Sequence, residues 1–214
     1  MEGDEPMIHE GCRADFRYIR EPRCFKCGRT VDDEGKDICR ECRQKDHIYS
    51  YGLPLFEYNE TAQRAMIDYK KNGWKRNGDF FAEEFVTRLG RTLMRFEPEV
   101  LIPVPVSRAK LRKRGFNQSE YLAERIAEAL EIPVDVGVLR RKGNTEQKEL
   151  SKEQRAENAL RSFECVKKPE YKRVCLVDDV YTTGSTIEGC ARELAKNGVE
   201  EIGFLTVFSG EMLN

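Results

Sequence analysis

Apolar residues fall into two rhythms along this chain, and they alternate. The run Val174-Cys175-Leu176-Val177 is short and continuously apolar, the mark of a strand buried on both faces of a parallel sheet. Val100 to Val104 has the same character but meets Pro103 and Pro105, which cannot donate to a ladder, so this strand should stop near Val104. Val134 to Leu139 reads as a further strand and Ile202 to Phe208 as the final one. Between them the period becomes helical. Residues 61–71 read as a capped helix stopped by Asn72-Gly73, and Gly78-Asp79 introduces a second helix. Phe80, Phe81, Phe85, Val86, Leu89 and Leu93 recur along its core-facing side. A third helix runs through Leu130, and Ile187, Cys190, Ala191, Leu194 and Ala195 line a fourth, ended by Asn197-Gly198. An α/β domain is expected, with the long aromatic helix packed on the sheet and not offering an aromatic binding platform.

The polar residues that follow Val177 carry the chemistry. Asp178 and Asp179 stand at the carboxyl end of the expected strand, where parallel sheets bind ligands. Adjacent anions repel unless hydroxyl donors, cations or water lie between them, and a ribose diol with Mg2+ supplies both. The turn Thr182-Thr183-Gly184-Ser185-Thr186 opens the fourth helix, so its amides and hydroxyls suit a phosphate, with Gly184 allowing close backbone approach. Either half alone is better explained by solvated acids or by an ordinary Thr-capped helix. Together they read as a sugar-phosphate site. The competing mononucleotide loop, G-x-x-x-x-G-K-[ST], occurs nowhere in the chain.

Two other stretches can serve that site. Ser107 to Gln118 holds five cations among the seven residues Arg108 to Arg114. Such density is usually a solvated face, but beside a strand end it can neutralise pyrophosphate, arginine offering forked donors. Arg140 to Arg155, with Thr145, Gln147 and Gln154, is long and polar enough to be a lid that excludes water.

Composition narrows the setting. At 214 residues the chain has room for one α/β domain and a small accessory module, and a formal net charge of −1 excludes a uniformly basic nucleic-acid coat. Charge is uneven, however, with 14 Lys/Arg against 9 Asp/Glu from Thr61 to Leu130. No apolar stretch approaches about 18 residues and the first residues lack a signal pattern, so a cytoplasmic protein without membrane insertion is expected. Four of the eight cysteines form Cys24-x-x-Cys27 and Cys39-x-x-Cys42, separated by eleven residues, the spacing of a zinc ribbon or knuckle. Few large apolar side chains occur in residues 1–50, so a structural Zn2+ would replace the missing core, supplying about 10–16 kcal/mol of apparent folding free energy. Cys12 and His47 read as bystanders, Cys165, Cys175 and Cys190 as core thiols. Residues 1–53 are expected to form the ribbon and 54–214 the main domain. Ribbon cations Arg23, Lys26, Arg29, Arg40, Arg43 and Lys45 can contribute to a single-strand groove.

The Asp178-Asp179 string resembles the phosphoribosyl-pyrophosphate (PRPP) motif of type I phosphoribosyltransferases. The whole pattern resembles the ComF family, in which a zinc ribbon precedes such a domain. The resemblance covers residues 24–208 and rests on the two Cys pairs with Gly28, the Lys70/Lys71 to Gly78-Asp79 segment, Pro103-Val-Pro105, and Arg114-Gly-Phe-Asn-Gln118. Arg141, Thr145, Gln147, Leu150-Ser151, Arg155, Asn158 and the acid motif complete it. It implies a mostly parallel twisted sheet flanked by helices, with Asp178 and Asp179 on the ribose hydroxyls and Thr182 through Thr186 on the 5′-phosphate. Mg2+ and the basic stretch, with Arg108 and Arg114, would meet the pyrophosphate. Enzymes of this fold acting on 6-oxopurines carry an Asp where Thr182 stands, and a hydroxyl is a poor base, which argues against hypoxanthine–guanine salvage. With His9 and His47 in the ribbon region, imidazole catalysis in the main domain is not expected. Two functions stay open. One is single-stranded DNA handling in natural transformation, beside a competence helicase that kinship implies; the other is phosphoribosyl transfer to an unidentified acceptor.

Overall fold

A computed structural model describes residues 13–32, 35–142 and 160–210. In chain order they form α1 (Arg40–Arg43), β1 (Tyr51–Glu57), α2 (Glu60–Lys71), α3 (Lys75–Met94), β2 (Val100–Pro103), α4 (Arg108–Arg114) and α5 (Gln118–Leu130). Next come β3 (Leu139–Arg141), β4 (Phe163–Cys165), β5 (Arg173–Tyr181), α6 (Ser185–Lys196) and β6 (Glu201–Ser209). The main sheet has the order β1-β6-β5-β2, with every pairing parallel, and β3 and β4 form a separate antiparallel hairpin. This is the expected α/β architecture. No helix among the described residues is long and apolar enough to cross a membrane.

The alternation of side chains along β5 divides the core in two. Cys175 and Val177 join Leu101, Leu205 and the buried faces of α2, α3 and α5. Val174 and Leu176 join Val100, Ile102, Ile202, Phe204 and α6 on the opposite face. That second cluster also takes in Cys24, Cys27, Val31, Cys42 and Tyr49, so the cysteine module covers the same face as α6. Phe80, Phe81 and Phe85 are buried in the first cluster, as the helical spacing predicts.

Four details depart from expectation. β1 carries Gly52 and Pro54 and so does not look like a strand, yet it lies at the sheet edge, where proline is tolerated. It runs across the boundary expected at 53/54, while Phe16 sits in the main core, so chain before residue 54 also builds the main body. α3 starts at Lys75, and Gly78 lies inside it because Tyr69 and Tyr121 pack there; a Cβ at Gly78 would come 2.9 Å from both rings. Val134 to Leu139 is not one strand: Val134 alone bridges Leu101, the Asp135 carboxylate accepts the Gly137 N–H at 2.9 Å to make a turn, and the chain re-forms as β3. Finally, β5 does not end at Val177 but continues to Tyr181, because β6 pairs with it as far as Ser209. His9, Cys12, Asn158 and most of the expected lid, including Thr145, Gln147, Leu150-Ser151, Gln154 and Arg155, lie outside the described residues.

Candidate sugar-phosphate site and cysteine cluster

The site follows from where two neighbouring strands stop. β2 ends at Pro103, whose last partner is Val177, while β5 runs four residues further against β6. Beyond Val177, one edge of β5 is therefore open. The chain leaves β5 towards β6 and leaves β2 towards the opposite side, where Val134 bridges Leu101. This divergence is a topological switch point, and its crevice outside the carboxyl ends is where open α/β sheets take ligands.

Asp178 and Asp179 lie in that crevice with only 7% and 5% of their surfaces exposed. The reading of these residues as solvated acids is thereby excluded. Ser119, at the start of α5, donates its hydroxyl to Asp178 Oδ1 at 3.0 Å, and the Asp179 N–H donates to the same oxygen at 2.9 Å. Lys70, at the end of α2, forms an ion pair with Asp179 Oδ2. The two acids consequently diverge. Burial, reinforced by the neighbouring Asp179 charge, pushes the Asp178 carboxyl well above the usual carboxylate range. Burial acts on Asp179 in the same direction, but the Lys70 ammonium outweighs it and holds this carboxyl below its usual value.

The loop after β5 leaves the first-turn amides of α6 without a side-chain cap. Gly184 is the N-cap of α6 with φ +76°, in the left-handed region, and brings no side-chain cap to the first-turn amides. A Cβ there would also lie 2.7 Å from Tyr181 Oη, so glycine is required twice over. Thr183 Oγ1 and Ser185 Oγ are 3.0 Å apart, Thr182, Ser185 and Thr186 are half-buried, and Thr183 faces solvent. The expected residues 182–186 thus share one turn at the positive end of α6.

The basic stretch forms α4, capped by Ser107, which accepts the Lys110 N–H at 3.3 Å, and closed by Gly115 at φ +80°. Arg114 donates to Gln118 Oε1 at 2.8 Å, which fixes its guanidinium beside the start of α5. The Lys110 side chain is open to solvent at its surface yet crowded at its head. Burial first, then Arg141, Arg114 and Lys70, push its ammonium below the usual value, while Asp179 opposes them. These four cations and Asp179 therefore face a common region. Arg108 is exposed and forms no ion pair among the described residues. Lys110 belongs to the charge run and Lys70 and Arg141 to the family pattern, whereas no motif singled out Ser119. Only their places on four separate elements bring them together.

Within the amino-terminal module, the sulfurs of Cys24, Cys27, Cys39 and Cys42 all lie within 4.8 Å of one another. The Cys39 N–H donates to Cys24 Sγ at 3.3 Å, and the Gly28 N–H closes the first knuckle on Cys24 O at 2.8 Å. Gly28 has φ +72° and packs so closely that a Cβ would lie 2.1 Å from Gly52 O. Hydrogen bonds from Cys27 and Cys42 hold the Cys24 thiol low, and donating to it pushes Cys27 up to about 11 and Cys42 higher still. Four thiols so crowded need a cation before all can ionise, and the set fits a tetrahedral metal such as zinc. His47 stands apart, its Nδ1 3.4 Å from Glu188 Oε2. Four of the module's cations are engaged: Arg23 with Pro54 O and Ile19 O, Lys26 with Tyr49 O, Arg29 with Glu41, and Arg43 with Ile38 O. A cavity of about 450 Å³ between this module and the ends of β1 and β6 is lined by Arg29, Arg40, Glu57 and Ser209, away from the acid pair.

Residues 117–211 match the phosphoribosyl transferase domain model, which spans α5, both acids and the loop. Competence protein F of Haemophilus influenzae is 41% identical over 204 residues, covering 90% of this chain and 86% of that protein. The chain belongs to the ComF family. Competence protein ComFC of Bacillus subtilis is 28% identical over 92% of this chain and 81% of its own, and the DNA utilization protein YhgH of Salmonella typhi is 31% identical over 92% and 89%. For this ComF-family protein, the parallel sheet, the flanking helices and the four-cysteine cluster make up the phosphoribosyltransferase fold with its ribbon that the motifs imply.

Proposed function

We propose that this ComF-family protein binds PRPP with Mg2+ in the β5/β2 crevice and acts on single-stranded DNA during competence. The observation that carries the first half is the buried acid pair at the switch point, followed at once by an open, glycine-capped helix start. A ribose diol placed over Asp178 and Asp179 puts its 5′-phosphate towards residues 182–186. The Asp178 and Asp179 carboxyls, the first pushed up and the second held low, offer oxygen partners to the two hydroxyls. Lys110, Arg114, Arg141 and Lys70 supply positive charge for the pyrophosphate, with the exposed Arg108 on the same helix as Lys110 and Arg114. Bound Mg2+ would add neutralising charge between phosphate oxygens.

The DNA half rests on what the relatives are called and on the basic surplus of the middle of the chain. With Arg23, Lys26, Arg29 and Arg43 engaged, the ribbon's contribution falls to Arg40 and Lys45. The unbridged thiols suit the reducing cytoplasm, where a competence helicase would be the protein partner. A second reading is favoured by the cation cluster, which is placed to stabilise a leaving group. In it, an acceptor's lone pair bonds C1′ as the C1′–O bond breaks towards pyrophosphate, and the acceptor loses a proton to solvent.

Calorimetry with PRPP and Mg2+, paired with pyrophosphate release across a panel of bases, tests both. Binding by the native chain that weakens at least about a hundredfold in Asp179→Ala supports the PRPP reading; equal binding by the variant overturns it. Acceptor-dependent release establishes turnover. Single-stranded DNA affinity that falls with salt and survives in Asp178→Ala places the DNA surface outside the ribose pocket, and no measurable affinity removes the DNA half.

A further inference from the structure

The cysteine module meets the phosphate loop at its two ends, through Tyr181 and Glu188. On the strand side stands Tyr181, buried, its ring stacked on Phe204 at 4.8 Å. Its hydroxyl lies 2.7 Å from that of Tyr49, which is itself fully buried, stacked on His47 and edge-on to Phe204. The Arg29 guanidinium lies 5.5 Å over the Tyr181 ring and is anchored by Glu41 at 2.6 Å. On the helix side stands Glu188, in the first turn of α6. It accepts the Ile48 N–H at 3.2 Å and pairs with His47 and with Arg192. Thr182 to Ser185 is strung between these two posts, and Gly184 rests against the Tyr181 ring, where even a methyl group would not fit.

We propose that Tyr49 and Arg29 are positioning residues for the phosphate loop, so that the folded ribbon sets the sugar-phosphate affinity of a loop it meets at both ends. The inference rests on the PRPP reading above. Tyr181 has one hydroxyl partner, and a buried hydroxyl left unpaired costs about as much as the bond it lost. Without Tyr49 or the Arg29 cation over the ring, Tyr181 is held by Phe204 alone and is less fixed, and so is the Gly184 turn that leans on it. The amides of 183–186 then sample geometries that do not converge on one anion. Preorganisation is what the ribbon contributes.

The test uses the full chain carrying Tyr49→Phe or Arg29→Gln, with metal content and thermal midpoint measured first. PRPP/Mg2+ affinity is then read by calorimetry and amide exchange of residues 183–187 by mass spectrometry. The expected result is retained metal, PRPP affinity weakened roughly tenfold and loop amides exchanging roughly tenfold faster. Thr30→Ala, which removes only hydrogen bonds to the Arg20 backbone, should change neither readout. Native affinity and native loop exchange in both variants would overturn the proposal, as would losses confined to preparations that have shed metal. If the unsubstituted chain fails to bind PRPP, the ligand reading falls; loop exchange in the same variants still decides whether Tyr49 and Arg29 position the turn.

Discussion

Replacing Lys70 by methionine isolates the electrostatics of the acid pair. The stem length is kept, the charge is lost, and Asp179, 7% exposed at its side chain, is left buried without its cation beside Asp178. Breaking a buried pair from one side costs about 3–5 kcal/mol. Lys70 is itself a quarter exposed, so solvent screening points to the lower end, about 3 kcal/mol. For a chain of this size that is a fall in thermal midpoint of about 6–12 °C. The pH dependence carries a sign. In the native chain the Asp179 carboxyl is depressed, so its stabilisation is present above the unfolded value of about 3.9 and lost as pH falls through the folded value. In Lys70→Met the same carboxyl is raised, so the penalty is full above that raised value and vanishes on acidification. Asp178, raised in the native chain, contributes stability that is lost as pH rises through its folded value. The gap in midpoint should therefore be widest at pH 7.5 and narrow steadily towards pH 4. Differential scanning calorimetry from pH 4 to 8 reads it. A deficit under about 2 °C at pH 7.5, or one that stays constant as pH falls, would refute the reasoning.

Other perturbations reach the remaining parts of the molecule. Gly184→Ala places a methyl group against Tyr181 at a left-handed backbone position, so it should lower stability by about 1–2 kcal/mol in chemical denaturation and abolish detectable PRPP binding. Stripping metal with a strong chelator should release one equivalent of zinc, measured with a chromogenic dye, and expose residues 24–42 to proteolysis before the rest of the chain. Arg114→Ala should weaken PRPP binding about ten- to a hundredfold by calorimetry, and Arg108→Ala less than about threefold. Ser119→Ala should cost about 1 kcal/mol and raise the Asp178 carboxyl further, followed by carboxyl chemical shifts against pH.

What the sequence disclosed and what it withheld separate along physical lines. The acid pair, the glycine-capped turn and the two Cys-x-x-Cys knuckles are contiguous, so their chemistry is legible in a dozen neighbouring residues. Ser119 carries no local signal, and although Lys110, Lys70 and Arg141 fall in noted stretches, they lie on separate elements and nothing local shows that they converge on one crevice. β1 was hidden by Gly52 and Pro54, residues that suit an edge strand under a packed ring but break the usual strand pattern; Phe204 approaches to 2.3 Å of where a Cβ at Gly52 would sit. The extension of β5 beyond Val177 was hidden for another reason. Charged residues seldom continue a buried strand, and these do so only because Ser119 and Lys70 compensate them.

The seating of the ribbon on the sheet limits how the protein can be taken apart. A fragment beginning at Pro54 would lose Tyr51 to Leu53 from the register with β6 and strip the cover from Phe204 and Tyr181. Such a piece would present bare aromatic surface and a ragged outer strand, and it should precipitate instead of reporting the behaviour of an isolated half. Dissection by point substitution, with every residue of the chain in place, is the route this architecture leaves open.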